Sequence, residues 1–120
     1  MTLSDRVAAA SGPDRELDLA IERAVGTYTA FSHYRLGDDD CEEYVPTRYT
    51  ASIDAAMTLV PEGCGVYLNR YWTVQHDGPV WSAELAFGGI PDDPRRVFDC
   101  FDAATPALAL TSAALKARNL

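Results

Sequence analysis

The run Asp38-Asp39-Asp40-Cys41-Glu42-Glu43 places five carboxylates within six positions. Charges at that density repel one another and resist burial, so the segment reads as a solvated loop or rim. As a hard-cation site it lacks the loop glycine and the distant bidentate Glu of an EF-hand. The softer ligands His33, Cys41, Cys64, His76 and Cys100 show none of the close pair spacings that structural zinc favours. No metal and no cofactor is therefore expected. Nucleophilic catalysis needs a Cys or Ser within hydrogen-bond reach of a base. His33 lies in an aromatic-rich segment and His76 stands beside Asp77 in a turn, so no catalytic residue is assigned and the chain is read as a non-enzyme. Gly63-Cys64-Gly65 precedes a strand rather than a helix, which makes it a turn and not a phosphate-binding loop.

The remaining polar side chains suggest binding. Arg70 falls on the apolar face of a predicted hairpin, where a charged group must pair or snorkel, facing either a carboxylate or a substrate anion. Arg48 is a second anion handle. Tyr67, Asn69, Tyr71, Thr73 and Glu84 share the other face, which either lines a ligand surface or is covered by a helix.

Composition limits what these residues can serve. The 120 residues hold 10 basic and 18 acidic side chains, a formal charge of -8. Lys116 is the single lysine, and the arginines are scattered. Direct nucleic-acid binding is not expected, because phosphate contact depends on clustered Lys and Arg. No apolar run approaches the ~20 residues of a membrane span, and MTLSDRVAAA lacks a basic and then apolar leader, which predicts no membrane association. Three widely spaced cysteines suit reduced thiols in a cytosol, so the expected location is cytoplasmic. A hydrophobic share of 48% suits one domain spanning residues 1–120.

The elements that would position these side chains follow from caps, periods and turns. Ser4, Leu3 and Val7 open a short helix that breaks at Ser11-Gly12-Pro13. Pro13 in the first turn, Leu17, Ile21, Ala24 and Val25 on one face, and Gly26 as terminator predict a helix over 13–25. Thr27 to Arg48 is aromatic-rich with a weak period of two before the acids. Ser52 caps a helix over 53–60, stopped by Pro61. Strands over 64–75 and 80–88 flank His76-Asp77-Gly78-Pro79. A two-residue Asp77-Gly78 turn sets Val74 opposite Trp81, Trp72 opposite Ala83, Arg70 opposite Leu85 and Leu68 opposite Phe87. A four-residue turn is the alternative, because Pro79 lacks an N–H. Gly88 to Pro94 is a connection, Arg96 to Asp102 a third strand, and Thr105-Pro106 opens a helix over 105–118. The expected fold is α+β, an antiparallel sheet of three or more strands with a central hairpin and helices over 13–25, 53–60 and 105–118. Its core should hold Leu17, Ile21, Met57, Leu68, Trp72, Leu85, Phe87, Leu108 and Leu115.

Three segments, GPDRELD (12–18), YTASIDAAMTLVPEG (49–63) and ATPALALTSAALKAR (104–118), resemble the recurring blocks of the phage ABA-sandwich family. The resemblance implies a sheet between helical layers and a phage or prophage origin, and it carries no catalytic or binding residue across. Thr27 to Thr47 lies outside the blocks, where function that varies within such a family would sit. With that origin, the charge points to a small binding protein whose Asp38, Asp39, Asp40, Glu42 and Glu43 engage a basic face of a host protein. Inhibition of a host defence system, CRISPR or another, is the analogous role. The alternatives are a small-molecule binder or small enzyme using Arg48, Arg70, Tyr71 and Glu84, and an accessory domain whose homo-oligomer covers a sheet edge.

Overall fold

Side-chain caps start the helices where the sequence places its breaks. The Thr105 hydroxyl accepts the Leu108 N–H at 3.2 Å and Pro106 opens α4 (Pro106–Ala117). Ser52 accepts the Ala55 N–H at 3.2 Å and starts α3, which runs over Ile53–Met57 and ends before the predicted 60. Asp14 accepts the Glu16 and Leu17 N–H groups at 2.9 and 3.1 Å, so α2 spans Arg15–Val25 and Pro13 precedes the cap instead of opening the first turn. Gly26 closes α2 in the left-handed region at φ 77°. The cap of α1 (Leu3–Ala8) is Thr2, in a reciprocal box with Asp5, and not Ser4.

In this computed structural model residues 1–26, 31–36, 38–44, 46–88 and 96–120 are described, with 31–36 and 39–44 described by their backbone alone. Strands β3 (Cys64–Tyr71), β4 (Val80–Phe87) and β5 (Val97–Ala103) form an antiparallel sheet in the order β3-β4-β5. A separate antiparallel hairpin joins β1 (Phe31–Leu36) to β2 (Asp39–Tyr44). The fold is thus α+β with an open antiparallel three-stranded sheet, as expected. Most of the predicted Gly88–Pro94 connection lies outside the described residues.

One face of that sheet carries the core. Ala83 and Leu85 of β4, Cys100 and Ala103 of β5 and, partly buried, Val66 and Leu68 of β3 pack with Leu108, Leu110 and Leu115 of α4. Residues 107–115 are all buried, because α1, α3 and the sheet surround α4. Its two central polar residues are satisfied: Thr111 donates to the Tyr49 carbonyl, and Ser112 and Ser4 each donate to the other's carbonyl at 2.9 Å. Among the described helices α4 is the one that spans all three strands, and its face is the one just described. No helix among the described residues is long and apolar enough to cross a membrane.

Two sequence expectations are corrected here. The acidic run is not a loop: Asp39 to Glu43 lie in β2, opposite β1, with Arg35 the register partner of Asp40 and His33 of Glu42. The β3–β4 register is also different, with Leu68 opposite Ala83, Arg70 opposite Trp81 and Tyr71 opposite Val80. The predicted and observed partners of Leu68 differ by four residues, an even shift, so each side chain keeps its predicted face. The tight Asp77-Gly78 turn gives way to a loop over 72–79, since Pro79 has no N–H to close the first ladder pair. Trp72 therefore leaves the core and is 67% exposed. Met57, on the last turn of the shortened α3, is exposed as well, and Leu68 and Phe87 are half-buried, while the other five predicted core residues are buried.

Candidate functional site

The second face of the β3-β4-β5 sheet follows from strand alternation. Tyr67, Asn69 and Tyr71 of β3, Ser82 and Glu84 of β4 and Phe101 of β5 stand opposite the α4 side. The edge-strand residues Tyr67, Asn69 and Phe101 are exposed on this face, Phe101 at 60%, while Val80, Ser82 and Ala86 of central β4 are buried on it. Glu84 is half-buried between its partners Tyr67 and Asp99.

At one end of this face the ladder breaks. Ala83 pairs with Cys100 and Trp81 with Ala103, so Phe101 and Asp102 together oppose Ser82 as a β-bulge. Asp102 takes φ 61°, a region few side chains other than Asn and Asp enter readily. The bulge turns its carboxylate toward Tyr71, which lies two strands away across β4. The Tyr71 hydroxyl donates to Asp102 Oδ1 and accepts the Asp102 N–H at 2.9 Å. Burial, reinforced by the neighbouring Asp102 carboxylate, pushes the Tyr71 phenol above its ordinary pKa, so it remains a donor. His76 of the 72–79 loop places Nε2 at 3.9 Å from Asp102 Oδ2. Trp72 and Val74, which begin the same loop, are both exposed. The hydroxyl of Thr73 between them is buried with no hydrogen-bond partner among the described residues.

A second grouping lies on α2. Asp18 and Glu22 are 3% and 1% exposed, one helical turn apart. Asp18 Oδ1 accepts both the N–H and the hydroxyl of Thr50 at 2.9 Å, and Glu22 accepts the Thr47 N–H at 3.0 Å. These acids hold the 46–52 segment against α2. Burial raises the Asp18 pKa, opposed by the Thr50 hydrogen bonds and by Arg15. Exposed Arg48 and Arg15 line a small cavity of about 180 Å³ with Asp18, Pro13 and Ala51.

The residues singled out from the sequence therefore fall in three places. Asp38 is exposed at the β1–β2 turn, and Asp39, Asp40, Glu42 and Glu43 follow it in β2, their side chains outside the described residues, as are those of His33 and Cys41. Arg48 belongs to the α2 segment, far in sequence from the sheet residues Arg70, Tyr71 and Glu84. Arg70 is exposed on the α4 side of the β3 end, opposite Trp81, so it snorkels to solvent there. Tyr71 and Glu84 do share the second face of the sheet. Asp102 and His76 were not foreseen as its partners, because the contact depends on the bulge, which has no glycine to mark it.

Among the described thiols, burial raises the pKa of both Cys64 and Cys100, which favours their protonated form. Among the described residues no group of three His, Cys, Asp or Glu side chains could hold a metal ion. Comparison of the chain with protein-family models, with curated proteins and with solved structures finds no match.

Proposed function

We propose that this chain is a small, acidic, non-catalytic binding protein of phage or prophage origin, acting in the host cytoplasm by engaging a basic face of a host protein. The observation that carries the proposal is where the acids sit. Asp38 to Glu43 form the turn and second strand of a hairpin that, among the described residues, contacts no other element of the fold. Five acids within six positions concentrate negative charge on that hairpin, and such charge steers encounter with an Arg/Lys-rich surface and competes there with nucleic acid. The resemblance of three blocks to the phage ABA-sandwich family supports the origin. Inhibition of a host defence system, CRISPR or another, is the biological role that suits an acidic competitor of nucleic acid. In this reading Tyr71 binds Asp102 instead of a small-molecule substrate.

The test is affinity capture from host lysate at low and high salt, followed by association kinetics with the captured protein. The variant carries Asp38→Asn, Asp39→Asn, Asp40→Asn, Glu42→Gln and Glu43→Gln. Neutralisation should slow association about tenfold or more at low salt and flatten its dependence on ionic strength. Equal rates for the two proteins at both salt concentrations would overturn acidic recognition.

A further inference from the structure

The bulged end of the second sheet face gathers features that the hairpin does not use. Phe101 and Trp72 are 60% and 67% exposed, and Val74, two residues after Trp72, is fully exposed. Aromatic side chains left in water next to a fixed charge are what interface anchors look like before a partner arrives. The fixed charge is Asp102. Its Oδ1 is held by the Tyr71 hydroxyl and its backbone by the left-handed bulge, while Oδ2 lies 3.9 Å from His76 Nε2, beyond hydrogen-bond reach. That oxygen makes no hydrogen bond to His76, and the exposed aromatic residues Phe101 and Trp72 are the chain neighbours of Asp102 and Tyr71.

We propose that this end of the sheet is a docking surface for an arginine-bearing segment of a protein partner, the guanidinium seated on the Asp102 carboxylate and stacked on Phe101 or Trp72. Charge complementarity selects the occupant. Asp77, Glu84, Asp99 and Asp102 belong to this face or its loop, Lys116 is committed to the carbonyl and carboxylate of Asp99, and Arg70 stands on the α4 side. A second copy of the chain would bring the same acids and its own charge of -8. A guanidinium is favoured over an ammonium because it is planar and weakly hydrated, and it can stack on a ring while donating to a carboxylate. The inference rests on the proposed basic partner and adds a second contact surface, independent of the hairpin.

The probes are acetyl-Gly-Arg-Gly-Arg-Gly-amide and its lysine counterpart, titrated into the ¹⁵N-labelled full chain. Saturable shifts of the Trp72 indole and the Phe101 and Asp102 amides are expected with the arginine peptide, and at least threefold weaker binding with the lysine peptide. Asp102→Asn retains a residue suited to the left-handed bulge and should weaken binding about tenfold. Phe101→Ser should weaken it about threefold. The variant with neutralised hairpin should bind the peptide at Asp102 like the parent. Absence of shifts at Trp72, equal affinity of the two peptides, or unchanged affinity in Asp102→Asn would overturn the docking surface. So would self-association that covers Trp72 in light scattering. Shifts confined to 38–43 would remove it while leaving the hairpin proposal standing, whereas Asp102 binding without any captured partner would do the reverse.

Discussion

Asp18 is where burial and hydrogen bonding oppose each other most directly. Its carboxylate is almost wholly buried, yet one oxygen accepts two hydrogen bonds from Thr50. Asp18→Ala should cost about 1 to 3 kcal/mol in chemical denaturation, since the Thr50 N–H loses its partner away from water. Asp18→Asn keeps an acceptor oxygen and should cost less than Ala. The two also differ in pH dependence. Burial raises the Asp18 pKa above its unfolded value of 3.8, so the folded state binds its proton more tightly than the unfolded state. The stability contributed by that proton is fully present below the unfolded pKa and is lost as pH rises through the folded one. In unfolding curves taken across this acidic window, Asp18→Asn should remove the corresponding decline, and an unchanged pH profile would show that Asp18 does not titrate differently on folding. Thr73 is the opposite case, a buried hydroxyl with no partner among the described residues. Thr73→Val keeps the shape and removes the unsatisfied group, so its melting midpoint should stay level or rise, by up to about 1 kcal/mol in stability.

At the scale of elements, packing separates the two sides of each predicted helix and strand. Leu85, fully buried beneath α4, should cost about 2 to 5 kcal/mol when cut to Ala. Trp72→Ala, although it removes a larger side chain, should cost under about 1 kcal/mol, because most of that side chain is already in water. Comparable losses in urea for the two would restore the tight-turn register, in which Trp72 faces the core. The helices were legible because Ser52, Thr105 and Gly26 mark their ends with local chemistry. Strand faces were legible from alternation, which an even register shift leaves intact. The register itself was not, since Asp77-Gly78 favours a tight turn while Pro79 forbids its first hydrogen bond, and only tertiary packing decides between them. The acidic strand was misread for a related reason. Repulsion along Asp38 to Glu43 is visible in the sequence, whereas the pairing of β2 with β1 is made across the hairpin and no local signal marks it. The cluster of Tyr71, His76 and Asp102 was hidden because it joins two edge strands and a loop through a bulge, and no local signal encodes that approach.

Over the whole molecule the fold divides into a sheet-and-helix body with a shared core and a hairpin whose described contacts are internal. A two-stranded hairpin alone is marginal in water, so its opening should not require the core to open. Native-state amide exchange should therefore give residues 31–36 and 39–44 protection well below that of Ala83 and Leu85 in β4. The charge distribution sharpens the expectation. Neutralising the five acids removes the repulsion along the run, an effect confined to the hairpin. Hairpin protection should change in that variant while β4 protection and the melting midpoint stay within about 0.5 kcal/mol of the parent. A core that lost stability along with the hairpin would make the two one cooperative unit. The acids would then serve folding, and a host protein would not be needed to explain them.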